Sequence, residues 1–144
     1  MRGILPMKQF VDIETPYSAK TESDLSRNLL YTRACIRDSL LRGEIPFASH
    51  LFYTQPGILD DTVQTERDMG ILAGKELIEG LPGVKTVVYT DLGISPGMQF
   101  GIDRAESQSR IIEYRTLSKD WETKAREISI THAHAKAWGL ETNL

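Results

Sequence analysis

The chain switches repeatedly between a two-residue apolar period and a helical one. Gln9-Phe10-Val11-Asp12-Ile13-Glu14 alternates apolar and polar positions, which predicts a strand. Thr15-Pro16-Tyr17-Ser18 breaks it, because a proline drives its predecessor into extended backbone. From about Glu22 to Arg42 the spacing becomes helical: Leu25, Leu29, Thr32, Ile36 and Leu40 form one stripe. Thr21 or Ser23 is placed to cap this helix and Gly43 to end it. Ile45–Leu51 is a short apolar run, either a second strand or a strand-to-helix turn. Tyr53–Asp61 carries a Pro-Gly pair and predicts a loop. Asp60 or Asp61 then caps a helix over about Thr62–Glu79, with Met69, Leu72, Ala73 and Leu77 close to one face. Lys85–Thr90 is the clearest strand, β-branched and bounded by glycine. Asp91–Gly97 predicts a strand-to-helix loop in which Pro96 suits the first helical turn. Met98–Gln108 predicts a helix, Ile111–Arg115 a strand, and Lys119–Trp138 a last helix with Trp121, Ile128, Ile130 and Ala133 as apolar members.

The order β-α-(β)-α-β-α-β-α predicts an α/β fold. It is a three-layer Rossmann- or flavodoxin-like arrangement: a mainly parallel sheet, helices on both faces and a C-terminal helix. One domain is expected, with a core over about residues 7–117 and a helical extension over 118–144. In such a sheet, ligands bind beyond the carboxyl ends of the strands. That singles out three loops: Thr15–Ser18, Pro46–His50 and Asp91–Gly97.

Composition narrows the function classes. The 144 residues include 17 Lys plus Arg against 20 Asp plus Glu, a net charge of −3, and this argues against an electrostatic nucleic-acid binder. Cys35 is the only cysteine, so no intramolecular disulfide is available and a reducing compartment fits. No apolar run approaches the roughly 18 residues of a membrane span. The opening residues are too short and too weakly apolar for a signal peptide. The expectation is a cytoplasmic protein with no membrane or nucleic-acid partner and no cofactor.

Asp91-Leu92-Gly93-Ile94-Ser95-Pro96-Gly97-Met98 is the most informative segment. Gly93 and Gly97 allow close backbone approach, and the helix start offers free N–H groups and a positive dipole end to an anion. Ser95 is either a cap or a hydroxyl donor to phosphate. The segment lacks the Gly-Lys-Ser/Thr ending of a Walker loop and is not Gly-x-Gly-x-x-Gly. Tyr17, after the first strand and Pro16, either stacks on a base or covers the core, and Ser18 is available to a phosphate. His50, the one histidine in the body of the domain, is a base or ligand donor, or a satisfied packer. His132 and His134 are two apart and cannot make an i, i+4 metal pair, so no zinc site is expected. Glu66-Arg67 and Asp60-Asp61 read most simply as a solvated pair and a cap. Cys35 reads as a small core residue rather than a nucleophile.

Several of these segments, in this order, resemble the nucleoside 2-deoxyribosyltransferase-like superfamily, and within it a phage and bacterial domain family without an assigned function. They are Glu14-Thr15-Pro16-Tyr17, Asn28, Gly43–Leu51, Leu59-Asp60-Asp61, Glu66-Arg67 with Gly70, and Val88–Met98 with Ala105. The resemblance runs from about Phe10 to Leu117. It implies the fold above, a nucleoside or nucleotide pocket, and a homo-oligomer whose subunits complete one another's pockets. It also implies an Asp-x-Gly-Thr-x-x-Glu motif whose glutamate attacks the sugar's anomeric carbon. Here the aspartate position is Ser95 and the glutamate position is Gly101. Glycine cannot form a glycosyl intermediate, and Asp103 is about 200° further round the helix. The expectation is therefore non-catalytic binding of a nucleotide or an NAD-derived, cyclic ADP-ribose-type molecule. Pro16, Tyr17, Ser18, His50, Asp91, Gly93, Ser95, Gly97 and Met98 are the expected ligand contacts. By analogy, a phage chain of this kind would sequester a host immune signal. The alternative is an enzyme acting at an N-glycosidic bond through Glu66, Asp91 or Glu14, with His50 assisting.

Overall fold

The computed structural model describes residues 9–137. Four strands, β1 (Gln9–Glu14), β2 (Glu44–Phe47), β3 (Lys85–Tyr89) and β4 (Ile112–Arg115), form one sheet in the order β2-β1-β3-β4. All three pairings are parallel. The helices are α1 (Glu22–Leu41), the short α2 (Ser49–Phe52), α3 (Gln64–Gly80), α4 (Pro96–Ser107) and α5 (Trp121–Ala137). The predicted three-layer α/β architecture is thus present. The ambiguous run after Gly43 is both things at once, a four-residue strand followed by one turn of helix. Pro46 is tolerated there because β2 is an edge strand.

Strand parity sorts β1 into two faces. Val11 and Ile13 join Val87 and Tyr89 against Tyr31 and Cys35 of α1 and Trp121 of α5. Thr21 caps α1 by accepting from the Asp24 amide. The buried stripe of α1 is Tyr31, Thr32, Cys35 and Ser39, while Leu40 is exposed. It is therefore rotated from the predicted one, because the helix meets the sheet through its aromatic and small residues. Burial raises the Cys35 thiol pKa well above its usual value, which fits a packing role. Trp121 stacks edge-on to Tyr31 with ring centroids 4.9 Å apart, tying the C-terminal helix to α1. Ile130, Ala133, His132 and His134 lie where side chains are not described, and Trp138 lies outside the described residues.

On the opposite face Val88 packs with Met98 and Ile102 of α4. There β1 contributes Asp12 and Glu14 instead of apolar residues. Along its length α3 packs chiefly on α2. The apolar face predicted for α3 is turned out: Met69 is 59% exposed and Leu72 56%. The buried positions of α3 are Gly74 and Ile78. Gly74 is required by a close approach, since a Cβ there would lie 2.6 Å from the Ser49 Cβ. Neither Asp60 nor Asp61 caps α3. The N-cap is Val63, and Asp60 instead accepts from the Thr62 amide and hydroxyl in a turn just before it.

One ion cluster locks the α1 side. Arg115 grips Glu44 through two 2.7 Å hydrogen bonds. Lys85 and Ser39 add bonds at 3.1 Å and 2.8 Å, and Glu113 joins Arg115. The Arg115 guanidinium holds the Glu44 carboxyl down at about 2.

Candidate functional site

A cavity of about 610 Å³ opens beyond the carboxyl end of β1, between α2, α3 and the start of α4. Its position follows from the topology. The chain leaves β1 for β2 on one side and returns to β3 on the other, so the loops diverge at that edge and leave a crevice.

Six of the nine expected contact positions border it: Tyr17, Ser18, His50, Ser95, Gly97 and Met98. Asn28 of α1 holds the Tyr17 loop by donating to the Tyr17 carbonyl at 3.0 Å. Ser95 caps α4 by accepting from the Met98 amide at 3.2 Å, and its own hydroxyl proton remains free to donate outward. The other three positions lie elsewhere. Pro16 is buried beneath its loop, and Gly93 takes the positive-φ turn (+83°) that Asp91-Leu92-Gly93 needs. Asp91 is pulled inward. It accepts from the Tyr31 hydroxyl at 2.5 Å and from the Leu117 amide at 3.0 Å, so it braces the loop and is unavailable both to a ligand and as the catalytic acid of the alternative reading.

His50 is bonded to Thr15 at the cavity wall. It borders the cavity, yet burial pushes its pKa down to about 4, so it is neutral. Its Nε2 meets the Thr15 hydroxyl at 2.7 Å, Thr15 meets Thr32 at 2.6 Å, and Thr32 donates to the Asn28 carbonyl. With that last bond setting the direction, Thr15 donates to Thr32 and His50 Nε2–H donates to Thr15. Nδ1 is left as an open acceptor. Tyr17 meets the imidazole edge-on at 6.1 Å. Across the mouth, the Arg67 guanidinium reaches Asp61 at 3.4 Å and Ser18 at 3.5 Å, so the Glu66-Arg67 pair borders the cavity instead of lying on a solvated face.

The floor is made by residues that pattern reading passed over. Glu14, considered only as an alternative acid, lies against Gly101. A Cβ at position 101 would sit 2.8 Å from Glu14 Oε2 and closer still to Oε1. The carboxyl group that the resemblance places on α4 is absent, and its space is filled by a carboxyl group from β1. Asp12, one alternation back on the same face, is buried, with an Oδ2 that has no hydrogen-bond partner. Thr86, its register partner on β3, and the guanidiniums of Arg104 and Arg110 also keep buried polar atoms without hydrogen bonds. Burial raises the Asp12 pKa to about 6 against the opposing pull of Arg110 and Arg104. Burial, with Asp12 beside it, raises the Glu14 pKa well above the usual carboxylate range against the pull of Arg104 and Arg110, which favours its protonated form. A sequence signal for this existed. An alternating strand is half polar, and in a sheet covered on both faces the polar half has nowhere to go but inside.

The fold and the cavity define a small α/β protein with a sheet-edge cavity lined by two acids of β1, Asp12 buried and Glu14 half-buried. The chain belongs to the family described as domain of unknown function DUF7768, whose profile matches residues 9–115. No curated protein and no solved structure matches it. No helix among the described residues is long and apolar enough to cross a membrane.

Proposed function

We propose that the cavity binds a nucleotide or an NAD-derived molecule of the cyclic ADP-ribose type and holds it unchanged. The observation that carries this reading is the cavity itself. Its volume of about 610 Å³ suits such a molecule. It sets the rings of Tyr17 and His50 near the uncapped Gly97 amide, the Ser95 hydroxyl and the Arg67 cation, a combination suited to a base, a sugar and a phosphate. The lack of a side chain at Gly101, and the raised pKa of the Glu14 carboxyl that takes its place, argue against a resting nucleophile. In the phage setting that the resemblance implies, a chain produced in stoichiometric amounts would remove a nucleotide signal from the host cytoplasm by mass action.

A second reading has one observation in its favour. A protonated carboxyl in a cavity is what a general acid requires. In that reading Glu14 gives its proton to the departing base of an N-glycoside. Water adds to the anomeric carbon, and His50 Nδ1 takes the water's proton. Incubating the chain with nucleosides, NAD and cyclic ADP-ribose isomers, then denaturing it and analysing by mass spectrometry, separates the two. Unchanged ligand is expected, and free base at many turnovers per chain refutes sequestration. Tyr17→Ala and Ser95→Ala are expected to weaken binding on either reading, and unchanged affinity in both places the pocket elsewhere.

The exposed Met69 and Leu72 of α3, with Ile71 of α3 and Phe100 of α4 exposed where they line the cavity, support a homo-oligomer. Light scattering is expected to show more than one chain per particle, and a monomer refutes it.

A further inference from the structure

We propose that the Glu14 carboxyl group selects the ligand, presenting an O–H donor beside a C=O acceptor to a matching amide- or amidine-type edge, such as that of a purine base. This rests on the nucleotide reading above and names the part of the ligand that meets the floor.

Three observations carry it. Glu14 ends β1 on the α4 side, and its carboxyl fits against α4 only because position 101 is glycine. It borders the cavity, yet no hydrogen bond or ion pair reaches its two oxygens from any described residue. It is also half-buried among the side chains that line the cavity, so only part of it meets water. A buried polar group left unpaired is costly, and a ligand that supplies both a donor and an acceptor removes that cost.

The charged surroundings decide which form of the carboxyl a ligand meets. Asp12 of β1 lies on the same face, Arg104 of α4, which also lines the cavity, and Arg110 before β4 pull the Glu14 pKa down, and neutral His50 borders the cavity from α2. Glu66, Arg67 and Asp68 of α3 and Asp61 before it stand around the opening. Desolvation and Asp12 outweigh the two arginines and push the Glu14 pKa up, toward the acid form that the proposal assigns to it. A carboxylic acid both donates and accepts, whereas a carboxylate only accepts. Adenine offers an acceptor at N1 beside a donor at N6, and hypoxanthine offers a donor at N1 beside an acceptor at O6. Each meets both halves of the acid.

The test is titration calorimetry with adenosine 5′-monophosphate, inosine 5′-monophosphate and N6,N6-dimethyladenosine 5′-monophosphate. The proteins are the full chain and its Glu14→Gln, Glu14→Ala and Gly101→Ala variants. Glutamine keeps one donor and one acceptor, so Glu14→Gln is expected to stay within a few-fold of the unaltered chain. Glu14→Ala, and Gly101→Ala by displacing the carboxyl, are expected to lose about tenfold or more, the ratio that one hydrogen bond of about 1.4 kcal/mol represents. Dimethylation at N6 is expected to cost a similar factor in the unaltered chain and nothing further in Glu14→Ala. Affinity is expected to fall at alkaline pH in the unaltered chain and to stay level in Glu14→Gln. Equal losses in Glu14→Gln and Glu14→Ala, or a dimethylated ligand bound as well as the parent, overturn the assignment. A chain that binds none of the three nucleotides refutes the nucleotide reading instead. In that case infrared difference spectra between the unaltered chain and Glu14→Gln still decide Glu14: a protonated carboxyl band at pH 7 is expected, and a carboxylate band overturns the proposal.

Discussion

Gly74→Ala sets two opposing effects against each other at one atom. Gly74 lies within α3, where alanine in place of glycine stabilises an unhindered helix by about 1 kcal/mol. The new Cβ would stand 2.6 Å from Ser49 Cβ and 2.7 Å from Ser49 Oγ. Ordinary carbon contacts begin near 3.5 Å, so α2 and α3 must separate by close to an ångström. Ser49 Cβ is fixed to its backbone and cannot rotate away, so the strain falls on the packing of the helix pair. Overpacking of this kind costs about 1–3 kcal/mol. The net expectation is a loss of about 1 kcal/mol and a melting temperature lower by about 2–4 °C for a domain of this size. Circular dichroism melts provide the measurement. The control is Ser49→Gly, which removes the obstructing atoms: in that background Gly74→Ala is expected to be neutral or stabilising. Since α2 carries His50 beside Ser49, nucleotide affinity is expected to fall together with stability in the single variant. A single variant that melts at or above the parent temperature would show that α2 does not rest on Gly74, and that the cavity wall is built differently.

Two further outcomes follow from the charged groups. Glu44 has a folded pKa of about 2 against an ordinary 4.5, so its contribution is complete above about pH 4.5 and disappears as the pH falls toward 2. Glu44→Gln is expected to cost about 2 kcal/mol in urea unfolding at pH 7, less than a fully isolated pair would lose because Glu113 still faces Arg115, and to flatten the acid limb of the stability curve; an unchanged acid limb refutes the ion-cluster account. His50 has its pKa lowered to about 4 by burial, so its neutral form supports the fold above about pH 6.5 and that support is lost as the pH falls toward 4. Proton NMR is expected to show its ring unprotonated at pH 5.5, and a midpoint near 6.5 contradicts a buried imidazole bonded to Thr15.

Much of the fold was legible because its signals are local. The β-branched run at Lys85–Tyr89, the Ser95-Pro96 helix start and the Thr21 cap depend on residues within a turn of one another, and each forms as its sequence predicts. The α3 face was not legible. Met69, Leu72 and Leu77 have helical spacing, but periodicity states only that a helix has an apolar side and not what stands opposite it. Here a cavity stands between α3 and the sheet, and the side turns out.

By itself the sequence determined an α/β chain with parallel strands, helix starts at Thr21 and Ser95, and a strand edge where Tyr17, His50 and Ser95 come together, since backbone preferences and the alternation of elements are properties of neighbouring residues. Only the tertiary structure decided that Asp91 braces the core, that Asp12 is buried and Glu14 half-buried beside it, and that Glu14 fills the space left at Gly101. Those outcomes depend on groups far apart in the chain meeting in a medium without water, where proximity sets charge, protonation and hydrogen-bond partners.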